Sequence, residues 1–515
     1  MSDTLVQLAR RKALVRDDGA TAIDDLKDGR SIDDTARRRG LPAVAVRGLQ
    51  TFYDTLGVHD GGRSRPCVGT ACAFAGGRRP GSAAHISDIA PPAPTSGHMS
   101  LHVVRCVGRC YEAPSALAVD ADSQPGRPVP RRSLAQPSMV LRHLLGPRPS
   151  LRELYAVPEP DTILDILDAV DLRGRGGAAF RTADKWRAAR AAHGRPLHDA
   201  HQAAKYVVAN GDEGDPGSFV DRLLLEEDPH AVLAGLQACA IAIGATHAIV
   251  YVRAEYPWAA TRVRTAIAEA QAAGVVVAGL HLAVHVGAGS YVCGEETALL
   301  RAIEGRRAEP SPKPPYPTEQ GLFGRPTVVQ NVETLAIIPE LLRTQRRSST
   351  KAFSLSGCVN EPGAVEAELG ITLQQLIDDG AGGVRSGRTA SMALIGGPMG
   401  RVLPASAFDT PLHYDTFPGL GHGGIVVLDD SVQACDLALH LFAFAAAESC
   451  GSCTPCRVGT SLLATRTDEA GLVRLLDTLE MGSLCGFGQG VPRPIRDLLH
   501  HFPHELWAAP ARGGQ

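Results

Sequence analysis

The sequence predicts an α/β protein of several domains, organised around a mostly parallel sheet with helices on both faces. Three observations carry this reading. Apolar helical and strand-like stretches alternate between residues 161 and 286, as a parallel sheet requires. Glycine- and acid-rich loops follow the strand-like runs, where ligands sit in such sheets. Cysteines gather towards both ends of the chain, in spacings that suit inorganic clusters.

Length and composition bound the rest. At 515 residues the chain has room for about three or four domains. With 44% hydrophobic and 21% charged residues and a net charge of -3, it has the balance of a soluble globular protein. That charge argues against nucleic-acid and anionic-membrane partners. Only six of its 52 basic residues are lysine, so Lys185 and Lys313, placed in glycine- and proline-marked loops, stand out as point charges for a phosphate. The longest apolar run, Ala231 to Val252, is rich in alanine, broken at Gly244 and β-branched at Ile249-Val250. It reads as a buried helix leading into a buried strand, so no membrane insertion is expected. No basic-then-apolar leader opens the sequence, and twelve cysteines in that setting point to metal binding in a reducing, cytoplasmic compartment.

In chain order, residues 1–60 read as a helical segment from the spacing of apolar residues around Ala36–Val46 and Leu49–Tyr53. Residues 61–145 follow as a second unit, with Cys67-x4-Cys72 and Cys106-x3-Cys110 in glycine-bearing loops. Two such pairs can place four thiolates around a [2Fe-2S] core, against the plainer reading of buried thiols. A proline- and arginine-rich join, Ser123 to Pro149, reads as linker and surface.

Residues 150–345 carry the alternation: helix 161–169, strand 205–209, helix 229–243, strand 246–253, helix 257–273 and strand 280–286. Three loops here look built for a ligand. The glycine turn Gly174-Arg-Gly176-Gly177-Ala-Ala-Phe180 runs into Lys185, and glycines let backbone amides approach a phosphate at a helix start. Asn210-Gly-Asp212-Glu213-Gly-Asp215 follows a strand, where a solvated acidic turn competes with hydrogen bonding to a ligand. Gly287-Ala-Gly289-Ser-Tyr291-Val-Cys-Gly294-Glu295-Glu296 repeats the order of glycine then acid. Glu309-Pro-Ser-Pro-Lys313-Pro-Pro-Tyr316 is stiff and extended, either a plain connection or a holder for an aromatic ring over a nucleotide.

Residues 346–432 shift to short β-like runs with one helix near 372–378. Residues 433–515 are helical, and a helix from 435 to 447 delivers Cys450-x2-Cys453-x2-Cys456, answered by Cys485. Three thiols at that spacing plus a remote fourth fit a [4Fe-4S] core better than zinc, which usually draws on two separated pairs; zinc and inert thiols remain the competing readings. Cys239, Cys293, Cys358 and Cys435 read as ordinary buried thiols.

These motifs carry a resemblance. Phe52-Tyr53 ahead of the first cysteine pairs resembles the thioredoxin-like [2Fe-2S] subunit of respiratory complex I, over about residues 1–145. Residues of about 150–505 resemble the flavin and nicotinamide subunit of complex I, of NAD-reducing hydrogenases and of NAD-dependent formate dehydrogenases. The resemblance implies a Rossmann-like FMN and NAD domain at 150–345, a ubiquitin-like β-grasp insert at 346–432 and a helical [4Fe-4S] domain at 433–515. It implies FMN on Gly174, Gly176, Gly177, Lys185, Asn210, Asp212, Tyr291, Gly294, Glu295, Asn331 and Thr334. It implies NAD on Phe180, Glu213, Asp215, Glu296, Lys313 and Tyr316, with the glutamates orienting the nucleotide. It places a helix start at Thr327–Thr334. The family commonly has glycine at Ala179, proline at Arg181, glutamate at Asp215, phenylalanine at Tyr316 and asparagine at Gln330.

The function so implied is a diaphorase subunit. A nicotinamide exchanges two electrons and an iron–sulfur cluster one, so a flavin must stand between them. Ser354–Gly363 and Val402–Ser406 resemble the formate dehydrogenase branch most, which implies a larger iron–sulfur and molybdenum subunit as partner. A complex I or hydrogenase flavoprotein is the alternative, and a non-catalytic electron-transfer or assembly module is the reading from another class.

Overall fold

The computed structural model describes residues 21–53, 56, 65–74, 109–113, 116–117, 127–193, 204–347, 349–463 and 469–506. The helical start expected of the sequence is present as Ala22–Lys27, Ile32–Arg39 and Ala43–Phe52. Thr21 and Asp24 cap the first helix reciprocally, and Ser31 caps the second. Asp33 and Asp34 sit at the positive end of the second helix and three arginines at its negative end. Arg39 grips the buried Asp25 at 2.5 and 2.8 Å, satisfying a charge that would otherwise be costly inside the protein. Ile23, Leu26, Val46, Leu49 and Tyr53 pack with Val208, Tyr251, Val292 and Leu299, so these helices are docked on one face of the central sheet.

That sheet has four strands in the order His281–Val286, His247–Val252, Tyr206–Gly211, Thr327–Asn331, all parallel. Side chains alternate in period two, so Val207, Val250 and Val328 face the larger core while Val208 and Tyr251 face the N-terminal helices. Each fully buried apolar side chain of this kind contributes about 1.5–3 kcal/mol. The Ala231–Val252 run divides as expected into the buried helix Pro229–Ile243, the left-handed Gly244 and a strand. Its alanine and glycine content serves close packing: a β-carbon on Gly235 would stand 2.0 Å from the carbonyl oxygen of Leu335 on the neighbouring helix. Among the described residues no helix is long and apolar enough to cross a membrane.

Two expectations are corrected here. Thr327–Asn331 is one of the two edge strands of the sheet, and the helix begins only at Val332, capped by Asn331. The β-branched Thr-Val-Val run favours the strand, and pairing with Tyr206–Asn210 uses its backbone groups. Part of the proline-rich join is also structural. Arg131–Ser133 adds a parallel edge strand to a second sheet, and the buried Glu366 accepts the amides of Met139, Val140 and Leu141 at 2.7–2.9 Å.

The second sheet has six strands in the order Arg401–Pro404, Ala390–Ile395, Gly424–Asp429, Thr350–Gly357, Gly363–Glu368, Arg131–Ser133. It is mixed: two antiparallel pairings flank the parallel contact of Gly424–Asp429 with Thr350–Gly357. The chain closes with Ala434–Glu448, Thr454–Leu462, Glu469–Gly482, Gly486–Gly490 and Pro492–His501. A two-pronged pair of Arg401 with Asp497, at 2.7 and 2.8 Å, ties these helices to the second sheet.

Candidate functional site

The loops at the carboxyl ends of the parallel strands come together around one site, the cleft. Asn210, next to last in its strand, accepts the amide of Asp212 at 3.0 Å and donates to the carbonyl of Gly294 at 2.9 Å, joining two of the loops singled out by sequence. They approach so closely that a β-carbon on Gly214 would stand 2.9 Å from the ring of Tyr291. The Tyr291 hydroxyl donates to Asp215, whose other oxygen lies 3.2 Å from Nδ1 of His422.

The glycine turn forms the opposite wall. The Gly174 amide donates to the Phe180 carbonyl at 2.9 Å, and Gly177 takes φ 105, a conformation that favours glycine. Gly176 is pressed against Asn331 and His422, at 3.1 and 3.4 Å from its would-be β-carbon. Asn331 accepts the Thr334 amide and donates to Asp221 at 2.6 Å. Beneath the turn, Arg175 and Lys351 both hold the buried Glu333, at 3.0 and 2.6 Å. Their charges keep the Glu333 carboxyl below its ordinary range although burial alone would raise it.

Lys185 and Lys313 converge on Glu296, at 3.0 and 2.7 Å, and Lys313 also reaches Glu295 at 3.0 Å. Phe180 and Tyr316 stand 59% and 53% exposed, available to stack on a planar ring. Glu213 differs from the expectation of a direct nucleotide contact. It is only 1% exposed, and its oxygens accept the amides of Asp221 and Arg222 at 3.1 and 3.0 Å. Its position at a helix start explains this: the carboxylate satisfies amides that have no partner within the helix.

The electrostatics of the cleft are set by burial. Burial pushes the Asp212 carboxyl up to about 8 and raises Glu213 and Asp221 as well. Burial would lower His422, but the hydrogen bond and charge of Asp215, with Asp221 and Glu213, outweigh it and carry the imidazole to about 9. The cleft suits a phosphorylated flavin: it joins a glycine turn, two ammonium groups and a helix start at Thr182, whose buried hydroxyl has no partner. Leaving such a hydroxyl unpaired costs about 1–3 kcal/mol, which a ligand oxygen nearby would recover.

The thiols lie at the end of the same cleft. Glu448 accepts the Tyr291 amide at 3.0 Å and caps off the helix that leads to Cys450. The Tyr291 ring lies 5.5 Å from that of Phe487, whose amide is directed at the Cys485 sulfur. Cys450 and Cys456 are buried, Cys453 and Cys485 half-buried. Burial pushes the Cys456 thiol up to about 12, and Cys450, Cys453 and Cys485 add to the rise, so the four share one electrostatic neighbourhood. Ser449 Oγ stands 3.2 Å from Cys456 Sγ, and the Ser483 hydroxyl is buried without a partner. Among the described residues no three His, Cys, Asp or Glu side chains are grouped tightly enough for one metal ion. Four thiolates on a polynuclear core bind separate irons and stand farther apart than the ligands of a single ion. Three cysteines within seven residues and a remote fourth gathered beside them make the donor set that an iron–sulfur core uses. Arg307 donates to the Cys450 carbonyl at 2.5 Å and stacks on Phe52, so the N-terminal helices reach this site too.

Cys67 and Cys72 pack together, and Cys110 is buried nearby in the chain's N-terminal unit; Cys106 lies outside the described residues. The short helix Thr70–Ala73 touches His440 through Thr70, and Tyr111 packs edge-on to Phe219. This unit thus abuts both the helix preceding Cys450 and the central domain.

His422, Glu448, Ser483 and the Arg175–Glu333–Lys351 group escape sequence reasoning. One signal is available for Lys351, the scarcity of lysine that already distinguishes Lys185 and Lys313.

A cleft for a phosphorylated flavin, joined through Tyr291 and Phe487 to a set of thiols, defines an iron–sulfur flavoprotein. Residues 167–340 match the Nuo51 FMN-binding domain, 436–509 the iron–sulfur binding region of NADH-ubiquinone oxidoreductase F and 28–125 the thioredoxin-like [2Fe-2S] ferredoxin. The F 2 subunit of the NADH-quinone oxidoreductase of Rhizobium meliloti (strain 1021) is 39% identical over 391 residues, which cover 70% of this chain and 91% of that protein. The HndC subunit of the NADP-reducing hydrogenase of Solidesulfovibrio fructosivorans is 37% identical, covering 68% and 76%. A chain of an NAD+-reducing [NiFe]-hydrogenase in the H2-reduced state superposes with a TM-score of 0.81 at 29% identity, covering 95% of this chain and 92% of that one. The chain belongs to the family of the NADH-quinone oxidoreductase F flavoproteins and their hydrogenase counterparts. It is an NAD-dependent flavin and iron–sulfur oxidoreductase component, with FMN, [4Fe-4S] and [2Fe-2S] as its cofactors.

Proposed function

We propose that this protein is the diaphorase subunit of a larger redox complex, exchanging electrons between NAD(H) and a partner subunit through FMN and the Cys450, Cys453, Cys456, Cys485 centre. The observation that carries this is the direct run of contacts from the cleft to the thiols through Tyr291, Glu448 and Phe487. FMN, when bound, accepts two electrons from a nicotinamide and gives them up singly, as clusters require.

The chain's own residues bind and orient. Gly174, Gly176, Gly177 and Lys185 hold the flavin phosphate, and Asn210, Asp212, Tyr291, Gly294, Glu295, Asn331 and Thr334 surround the rest of the flavin. Phe180 and Tyr316 stack on the nucleotide while Asp215, Glu296 and Lys313 meet its polar groups, and Glu213 holds the acidic loop in shape. No side chain is needed as nucleophile or proton donor. Cys67, Cys72, Cys106 and Cys110 hold the second cluster.

The domain division follows the same reading: 1–60 helical, 61–145 thioredoxin-like, 150–345 FMN- and NAD-binding, 346–432 β-grasp and 433–515 helical. The β-grasp assignment is supported by a hairpin, a helix, a second hairpin and a closing strand parallel to the first. For the partner, a cytoplasmic molybdenum-dependent formate dehydrogenase is supported by the sequence stretches Ser354–Gly363 and Val402–Ser406. The names of the relatives favour a quinone- or hydrogen-linked partner instead.

Two measurements separate these readings. NADH should bleach the flavin absorbance of the FMN-loaded, cluster-replete protein, with dithionite marking full reduction; an unchanged spectrum makes it a non-catalytic module. Purified complex should reduce NAD+ with formate; activity with hydrogen or quinone alone sinks the formate assignment.

A further inference from the structure

Ser483 is a buried hydroxyl that the protein itself leaves unused. It lies just past the helix Glu469–Gly482 and two residues before Cys485. Its amide donates to the Leu479 carbonyl at 3.2 Å and its carbonyl accepts from Gln489 at 2.9 Å, yet its Oγ has no partner. What surrounds it is the thiol site. A β-carbon on Gly488 would stand 2.4 Å from Ser483 Oγ and 3.1 Å from the β-carbon of Cys456, so the absence of a side chain at Gly488 is what lets the hydroxyl approach Cys456. Ser449 Oγ comes within 3.2 Å of Cys456 Sγ. Ser449 thus touches Cys456 and Ser483 lies close by across Gly488, while Cys485 is served by the backbone amides of Phe487 and Gly488.

Hydrogen bonds to cluster sulfur favour the state with more negative charge, which is the reduced one, and so raise the reduction potential. We propose that Ser483, together with Ser449, donates its hydroxyl hydrogen bond to sulfur of the [4Fe-4S] centre and holds its potential up. One electron enters the centre, and the proton stays on the serine. The inference rests on the [4Fe-4S] assignment of the four cysteines.

An EPR-monitored redox titration of the full, reconstituted chain tests it. Ser483→Ala and Ser449→Ala should each move the [4Fe-4S] midpoint to more negative potential, the double variant furthest, while Ser483→Thr restores it. The FMN midpoint should stay in place, which a general loosening of the fold would not allow. An intact signal with an unmoved midpoint in both alanine variants overturns the proposal. Should Ser483→Ala fail to hold its cluster, pulsed EPR in D2O of the wild-type and Ser449→Ala proteins decides: an exchangeable deuteron coupling of the reduced centre that is lost in Ser449→Ala supports it, and the same couplings in both, which the backbone amides alone would give, overturn it. A wild-type sample without a [4Fe-4S] signal overturns the cluster assignment first and the proposal with it.

Discussion

The cleft and the thiol site meet at Tyr291 but are built on different principles. The cleft is assembled from the loops around residues 174–185, 210–217, 291–296, 313–316, 331–334 and 422, and its charges are already matched. Lys185 and Lys313 hold Glu296 where a ligand's anionic groups would compete, so binding exchanges one set of ion pairs for another. The thiol site draws three of its four cysteines from seven consecutive residues, and its thiols have to give up their protons when they bind iron. A preorganised cleft should lose function by degrees when one side chain is changed. A metal-dependent site should lose everything at once.

The sharpest break of that comparison is Cys485→Ala. It should erase the [4Fe-4S] EPR signal while leaving FMN bound and NADH reducing a dye that takes electrons from the flavin. If dye reduction falls in parallel with the signal, the two sites are not independent and the contrast fails.

Next in size is Lys351→Met, which takes one of two cations from the buried Glu333 carboxylate in the wall of the cleft. Lys351 is fully buried against Glu333, and removing one partner of such a pair costs about 3–5 kcal/mol. The thermal midpoint of the flavin-bearing part should drop by roughly 10 °C, with weaker FMN retention. Adding Glu333→Gln should deepen the loss, because it takes this carboxylate from the buried Arg175 as well. A single variant as stable as wild type would mean Glu333 is held by Arg175 alone.

The same contrast explains what is legible in the sequence. Cys450, Cys453 and Cys456 can be read as a set because their spacing is local, and the strands Tyr206–Gly211 and His247–Val252 because a buried parallel strand is a continuous apolar run. The glycine and acidic loops are legible as ligand-shaped, since they follow those strands. His422, Glu448 and Lys351 are not, because each acts on a partner far away in the chain and has no periodicity of its own. Thr327–Asn331 reads as a helix start because a helix does follow it, whereas the pairing that makes it a strand is wholly non-local. Cys106 lies outside the described residues, so the first cluster is legible in sequence alone.

Smaller again is the pH dependence of the cleft. His422 titrates near 9 when folded, above the ordinary histidine value of about 6.5. The stability it contributes is therefore fully present below about pH 6.5 and lost as pH rises through 9. Asp212, raised to about 8 by burial, acts in the same sense, since its folded form keeps a proton that the unfolded chain releases above about pH 4. The thermal midpoint of the FMN-free protein should fall steadily between about pH 6 and pH 9. His422→Gln should flatten the upper part of that decline and leave the part due to Asp212. A midpoint that climbs over this range would reverse the electrostatic account of the cleft.

The smallest effect tests how far the glycine turn is preorganised. Ala179 is held at φ 50, in the left-handed region, one residue before the exposed Phe180. For a residue with a β-carbon that conformation costs about 1–2 kcal/mol. Ala179→Gly removes the strain but gives the unfolded chain more freedom, which takes back about 0.4–1 kcal/mol. The balance should be a stabilisation of about 1 kcal/mol or less, seen as a rise of a few degrees in thermal midpoint. FMN affinity should stay within about twofold, because RT ln 2 is well under the energy of one hydrogen bond and no hydrogen bond of the turn is removed. Affinity that falls further would mean that Ala179, by restricting the backbone ahead of Phe180, holds the turn in its binding conformation, and that strain in this loop serves preorganisation.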